Sequence, residues 1–306
     1  MYILSEELER MDGDRSPQEQ AISLSMIRKR LFEQYGFEYQ SDRWLYTQLH
    51  RYENEVGTRL FVKQHDEHDG ISKLKLFDRM ENFIQKQHIN VSQKIKTANG
   101  VYDFITMNAA NAAARGPIRV LLGAGTTMCQ LFSLFLERTP NSTLLVEIFT
   151  HNAGCTQLLT PKLLGQDRIS VSILGGSLDP VTMTFLGVTK TSLEGIPFDY
   201  VVQGTSRICD GRLYIESEKE RETKELILHH TKGVKLLALT KYEFASEPPP
   251  NSRAYGDITD YDYVVMPRSF PKSLNKPHDK LFLDYTHLFD SEIRNWYYEI
   301  LKLKRS

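Results

Sequence analysis

Ile118-Arg-Val-Leu-Leu-Gly-Ala-Gly-Thr-Thr127 is the stretch that decides the fold we predict for this chain. A short apolar run ends in two glycines and two threonines, and the apolar pattern of a helix, from Met128 to Glu137, follows at once. This order predicts a strand, a tight turn and a helix. Glycine lets the backbone approach a ligand closely, and the first turn of a helix exposes unpaired N–H groups. The turn therefore favours an anion such as phosphate.

Strand and helix patterns alternate on the carboxyl-terminal side of this turn. Strands are predicted over 143–150, 169–174, 198–202, 234–239 and 261–266, with helices over 153–164 and 216–230 between them and a last amphipathic helix over 290–304. The alternation predicts a doubly wound, mostly parallel α/β sheet. Because ligands bind beyond the carboxyl ends of such strands, we expect an effector site formed by Gly123, Gly125, Thr126, Thr127, Asn152, Gly175, Gly176, Gly204 and Lys241.

The first third of the chain carries a different pattern. Ser16-Pro17 predicts the start of one helix, which ends before Gly36, and Ser41 or Asp42 starts a second that runs to Val56. Two short alternating stretches then flank a polar tip, as in a β-hairpin. Together these elements predict a winged helix-turn-helix with DNA contacts from Arg43, Thr47, Gln48, His50, Arg51 and Lys63. The alternative is a solvated helix surface without a DNA partner.

The stretch from Tyr46 to Lys63 resembles the recognition helix and first wing strand of the LysR family. The residues in register are Leu49, Tyr52, Glu53, Val56, Gly57, Leu60 and Phe61. The resemblance implies a long dimerisation helix after the wing, and the apolar residues from Leu76 to Ile95 favour such a helix over 76–98.

The loops from 118 to 266 resemble those of the effector domain of DeoR-family regulators, which is similar in fold to ribose-phosphate isomerase, glucosamine-phosphate deaminase and CoA transferases. The resemblance implies a sugar phosphate held by Thr126, Thr127 and Lys241, with Asn152 and Gly175 to Gly176 lining the pocket. Two acidic residues of the family's pattern are missing here, one at Gly123 and one shortly before Lys241. A different ligand, or none, therefore stays open.

Composition narrows the classes of function. The formal net charge of the 306 residues is −1, so a nucleic-acid surface would have to be a local patch. We find no apolar run long enough to span a membrane. The three cysteines are far apart and form no C-x-x-C pair, which favours a reducing, cytoplasmic setting and buried thiols. His65-Asp66-Glu67-His68 is interpreted as a polar turn, and we predict neither a metal nor a cofactor.

These observations lead to three predicted segments: a winged helix-turn-helix over 1–75, a linker helix over 76–98 and a DeoR-like α/β domain over 99–306. We expect a DNA-binding transcription regulator, at least dimeric, whose partners are double-stranded DNA and a phosphorylated small molecule. We predict no enzymatic activity, because isomerase chemistry needs a general base and the acidic cluster that the resemblance to ribose-phosphate isomerases implies has no counterpart in Val202-Gln-Gly-Thr-Ser-Arg207. The alternatives are an assembly protein with a degenerate ligand site and an isomerase-like enzyme.

Overall fold

In a computed structural model of the chain, the described residues are 21–39, 41–65, 71–77, 82–109, 116–159, 167–268 and 277–304. The chain divides into two compact units, Met1–Ser92 and Gln93–Ser306. The predicted helix start at Ser16, most of the predicted hairpin tip and part of the predicted helix over 153–164 lie outside the described residues.

Between residues 21 and 77, the described part of the first unit forms two helices and a small antiparallel sheet. The helices are Leu24–Tyr35 and Asp42–Val56, and the strands are β1 (Ala21–Ser23), β2 (Phe61–His65) and β3 (Ser72–Leu76), in the order β1-β3-β2. A serine hydroxyl accepts a backbone N–H at the start of each helix, and each ends at a glycine with positive φ. The apolar stripes of both helices pack on the sheet around Leu60, Leu74 and Leu76.

The predicted linker helix over 76–98 is wrong as a single element. Leu76 ends β3 and is fully buried, a short helix covers Phe83–Gln87, and a long helix covers Val91–Ala109. The break falls at Asn90, whose φ of 51° is outside the helical region. Asn99-Gly100, predicted to be a boundary, lies inside the long helix. Glycine is needed there for packing, because a side chain at Gly100 would come within 2.8 Å of Val265 Cγ1.

The second unit is built on one large sheet. Its strands are β4 (Ile118–Leu122), β5 (Val146–Thr150), β6 (Ile169–Ile173), β9 (Tyr200–Gln203), β12 (Val234–Ala238), β14 (Tyr263–Pro267), β15 (Phe289–Arg294) and β16 (Tyr298–Leu303). The order is β15-β16-β14-β12-β9-β4-β5-β6, and the six strands from β14 to β6 are parallel. The predicted mostly parallel α/β sheet is therefore confirmed.

Helices and two small sheets complete this unit. The helices are Thr126–Arg138, Ala153–Thr156, Lys190–Leu193, Glu218–His230 and Pro277–Leu283, and the remaining strands are β7 (Ser177–Asp179), β8 (Thr184–Leu186), β10 (Arg207–Cys209), β11 (Arg212–Tyr214) and β13 (Gly256–Asp257). Helix Thr126–Arg138 starts where the glycine turn predicts, and it buries Leu131, Phe132 and Phe135 at helical spacing. Among the described residues, no helix combines the length and apolar character needed to cross a membrane.

The predicted last helix, 290–304, is wrong, and 261–266 does not contain the last strand. β15 and β16 form an antiparallel hairpin there, and β16 pairs with β14 inside the large sheet. Apolar side chains of β16 are buried on both faces, at Tyr298, Ile300, Leu301 and Leu303. A short apolar run of this kind fits helical spacing as well as a buried strand, so the pattern alone could not decide.

Candidate functional site

An open depression of about 890 Å³ lies on helix Asp42–Val56 and the β2–β3 hairpin of the first unit. Five of the six predicted DNA-contacting side chains line it: Arg43, Thr47, His50, Arg51 and Lys63. Gln48 does not, because the residue after Thr47 is turned by about 100° around the helix axis. The structure therefore brings most of the predicted set onto one surface.

The cations of this surface are exposed and weakly held. Arg51 Nε lies 3.1 Å from Glu55 Oε1, and the two side chains are 73% and 58% exposed. Lys63 Nζ lies 4.6 Å from the centre of the Tyr46 ring. Such exposed ion pairs contribute about 1 kcal/mol or less. A polyanion can therefore displace Glu55 from Arg51 at small cost.

Glu53 was missed as a functional residue by the sequence analysis. This carboxylate is buried, and its Oε1 accepts the backbone N–H groups of Leu60 (2.8 Å) and Phe61 (3.2 Å). Its Oε2 lies 2.9 Å from Nδ1 of His50. Glu53 thus ties the helix to the first strand of the hairpin and fixes the His50 ring. The available signal was an acidic residue within the apolar face of Leu49, Tyr52 and Val56.

At the carboxyl edge of the large sheet, the glycine turn and Asn152 lie together as predicted. Gly123 N–H donates to Val202 O at 2.8 Å, and Gly125, with φ of 110°, precedes helix Thr126–Arg138. Asn152 Nδ2 donates to Gly125 O at 2.8 Å, and its Oδ1 accepts Gly154 N–H at 3.0 Å. Thr126 is buried and Thr127 half-buried. The Asn152 amide therefore holds two backbone segments together.

The other predicted glycines have backbone partners of their own. Gly175 has φ of 90°, and a Cβ there would lie 2.8 Å from Leu186 O, whereas Gly176 has open space around it. The Gly204 carbonyl accepts Lys224 Nζ at 2.9 Å and Tyr255 Oη at 3.1 Å. Chain packing therefore explains the glycine at 175, and the Gly204 carbonyl is already occupied by two donors of the protein.

Lys241 requires a correction, because its ammonium group already has carboxylate partners. Nζ lies 3.0 Å from Glu299 Oε1 and 3.8 Å from Asp279 Oδ1, and the side chain is 5% exposed. Glu299 belongs to β16, so Lys241 is held on the side of β12 away from β4. Four strand intervals, about 19 Å, separate β12 from β6, so one small ligand could not touch both Lys241 and Gly175.

A buried histidine and lysine near this edge were also missed. His151 is fully buried, and within the part of the chain that the structure describes neither ring nitrogen has a hydrogen-bond partner. Burial, and then the charge of Lys224, lower the pKa of His151 to about 3. Gln203 Nε2 donates to Lys224 O at 3.4 Å. These residues lie up to 73 positions apart in the sequence, so spacing offered no signal.

The thiols of Cys129 and Cys155 meet beside the same turn, with 3.3 Å between the Sγ atoms. Both are free and buried, as predicted, and burial followed by contact with Cys129 raises the pKa of Cys155. No group of three or more potential metal ligands occurs among the described residues.

Comparisons with known proteins found no matching family model and no matching curated sequence. Solved structures with a similar fold include ribose-5-phosphate isomerase A from Methanocaldococcus jannaschii, with 9% identity and a TM-score of 0.36 over 70% of this chain and 80% of that chain. The isomerase A from Neisseria gonorrhoeae has 8% identity and a TM-score of 0.30 over 74% and 79% of the two chains. eIF2B beta from Chaetomium thermophilum has 13% identity and a TM-score of 0.36 over 66% and 58%.

The prediction of no enzymatic activity is corrected by these comparisons, because several of the similar structures are ribose-5-phosphate isomerases, which are enzymes. The finer resemblances to the LysR and DeoR families stay predictions.

Proposed function

We propose that the chain is a DNA-binding regulator whose first unit is a winged helix-turn-helix. The order of its described elements supports this proposal: strand, helix, helix and hairpin, with β1 pairing to the second strand of that hairpin. In such a module the second helix, here Asp42–Val56, enters the major groove and the hairpin lies against the backbone.

The observation that carries the proposal is the shared surface of Arg43, Thr47, His50, Arg51 and Lys63. Arg43 and Arg51 lie two turns apart on one helix, and Lys63 comes from the adjacent strand. Exposed guanidinium and ammonium groups bind phosphate oxygens and guanine edges. Their arrangement on one helix face and one hairpin would place them against the phosphates and base edges of a DNA groove.

Duplex DNA binding tests this proposal. The double variant Arg43→Ala/Lys63→Ala should weaken binding of short random-sequence duplexes by roughly 10- to 100-fold, and it should reduce the slope of log affinity against log salt by about one per lost phosphate contact. Fluorescence anisotropy over a salt series measures both effects.

The matched control is Lys190→Ala/Lys232→Ala, which removes the same charge from exposed positions of the second unit. Its affinity should stay close to that of the unaltered protein. Equal affinities for the two double variants, or no duplex binding at low salt, would reject the proposal.

We also propose that the second unit binds a phosphorylated small molecule at the turn Gly125 to Thr127. In support, no side chain among the described residues caps the start of helix Thr126–Arg138, and none of them comes within 4 Å of a Cβ placed at Gly125. The first-turn N–H groups of this helix can therefore receive an anion. Asn152 and Lys241 are occupied by the contacts described above and have no part in this proposal.

Thermal unfolding with a panel of sugar phosphates tests this second half. A ligand at about 100 times its dissociation constant should add about 2.7 kcal/mol of stability and so raise Tm. Thr127→Ala should reduce the shift without lowering the Tm of the free protein by more than a few degrees. A panel that leaves Tm unchanged would count against the site.

A further inference from the structure

We propose that His50 is a proton-dependent contact to DNA, and that Glu53 is the positioning residue that fixes its ring, so that the interface binds DNA more tightly as the pH falls below neutrality. The inference rests on the proposed DNA-binding function and adds a regulation of the same surface. The observation behind it is that the Glu53 carboxylate contacts the backbone N–H groups of Leu60 and Phe61 and the His50 ring.

The contact with Glu53 decides which nitrogen of His50 carries the proton. Nδ1 lies 2.9 Å from Glu53 Oε2. An ionised carboxylate only accepts hydrogen bonds, so Nδ1 must be the protonated nitrogen. In the neutral ring Nε2 then has a lone pair, and in the charged ring it has an N–H. The His50 side chain is 64% exposed and lines the depression, and among the described residues Nε2 has no hydrogen-bond partner.

The proton changes what Nε2 can do at a DNA surface. A phosphate oxygen only accepts, so the neutral ring has no hydrogen bond to offer it through Nε2. After proton uptake, Nε2–H donates to a phosphate oxygen or to guanine N7 or O6, and the ring adds a positive charge. Charge-assisted hydrogen bonds are roughly twice as strong as neutral ones. Proton uptake therefore changes Nε2 of His50 from a hydrogen-bond acceptor into a donor on a positively charged ring.

Glu53 cannot turn away from His50 when conditions change. Its Oε1 is held by the backbone N–H groups of Leu60 and Phe61, and its side chain is 10% exposed. The Phe61 ring, 5.1 Å from the His50 ring between centroids, limits the other side. The ring orientation is thus set by the hairpin through Glu53.

The remaining charged groups on this surface act in both directions. Asp42 and Glu55, from the same helix, favour a charged His50 ring, whereas Arg43 and Arg51 from the helix and Lys63 from β2 oppose it. Bound DNA neutralises these three cations and brings phosphates of its own. Because linkage is reciprocal, a ligand that favours the protonated ring must itself bind more tightly when the ring is protonated.

The test is the pH profile of duplex DNA binding, measured by anisotropy between pH 5.5 and 8 at constant ionic strength. The unaltered protein should lose about tenfold in affinity over this range, the equivalent of one charge-assisted contact. His50→Gln, which keeps a polar side chain but no titrating proton, should change by less than about twofold. The matched control His65→Gln removes an exposed histidine of β2 outside the depression and should keep the profile of the unaltered protein.

Glu53→Gln separates positioning from simple structural support. Its amide oxygen can still accept the N–H groups of Leu60 and Phe61, but its NH2 group then faces Nδ1 of His50, so the neutral ring carries its proton on Nε2 and the charged ring is no longer stabilised. The variant should therefore offer an Nε2–H donor even at pH 8, so its affinity should change less with pH than that of the unaltered protein, and the midpoint of the remaining change should lie at a lower pH.

The outcomes are distinguishable. If the unaltered protein binds DNA and His50→Gln keeps its pH profile, the inference is overturned while the proposed function stands. If no DNA binds at any pH, the proposed function itself fails. Should Glu53→Gln not fold, as judged by circular dichroism, the His50→Gln profile decides alone.

Discussion

The sequence predicts an anionic ligand both at the depression on helix Asp42–Val56 and at the carboxyl edge of the large sheet. Both regions contain cationic side chains, but these side chains differ in exposure and in pairing. Lys63 of the depression is exposed, and its ammonium group lies over the Tyr46 ring. At the sheet edge, the Lys224 and Lys241 side chains are 1% and 5% exposed and lie against Glu220 and Glu299. A buried cation is already neutralised by the protein, whereas an exposed one remains available to a ligand.

The difference teaches that a lysine after a strand does not by itself indicate a phosphate site. Burial requires a partner for the charge, and the folded chain supplies carboxylates for that purpose. The predicted effector site is thereby reduced to the turn Gly125 to Thr127, where backbone N–H groups rather than a lysine would meet the anion. The DNA-binding prediction keeps its cations because its helix and hairpin lie at the surface.

The largest effect expected from this contrast is on folding stability. Lys241→Ala removes the buried ammonium group that lies between Glu299 and Asp279 and leaves Glu299 only the more distant Arg294, so it should lower the free energy of unfolding by about 3 kcal/mol. Lys63→Ala, the same change at the exposed surface, should cost less than about 1 kcal/mol. Urea unfolding measures both, and equal costs would remove the distinction between the two regions.

A smaller effect is expected from pH, through His151. Its pKa of about 3 in the folded chain lies below the usual value of about 6.5 in the unfolded chain. Only the unfolded chain gains a proton on acidification, so stability is full above about pH 6.5 and is lost as the pH falls towards 3. Between pH 7 and pH 5 the loss should be about 2 kcal/mol.

The control for this prediction is His151→Gln, which carries no titrating proton. The difference in unfolding free energy between pH 7 and pH 5 should be about 2 kcal/mol smaller in this variant. A variant with the pH dependence of the unaltered protein would mean that His151 already has access to water.

The smallest effect concerns the two glycines after β6. Gly175→Ala should cost about 1 to 2 kcal/mol, because its positive φ disfavours a side chain and the new Cβ would press on Leu186 O. Gly176→Ala should cost less, since nothing lies within 4 Å of that position. Thermal unfolding of the two variants compares them, and equal Tm values would return Gly175 to the set of ligand-lining candidates.

The sequence was informative wherever a local rule was sufficient. Ser41 and Gly57 delimit helix Asp42–Val56, and the turn at Gly123 to Thr127 starts helix Thr126–Arg138 as predicted. The spacing of Arg43, Thr47, His50 and Arg51 on one helix was enough to place them on a common face. Predictions failed where the local pattern allowed two structures, as at 290–304, or where one break divides a helix, as at Asn90.

The amino-acid sequence by itself determined the element types around the glycine turn and the helix that carries the candidate DNA-contacting side chains, because capping, glycine conformation and apolar spacing act over a few residues. Only the tertiary structure decided which charges are free. The partners of Lys224 and Lys241 include residues that lie 20 and 58 positions away in the chain, and burial then requires each ammonium group to be paired. Such pairings between distant residues cannot be predicted from spacing along the sequence.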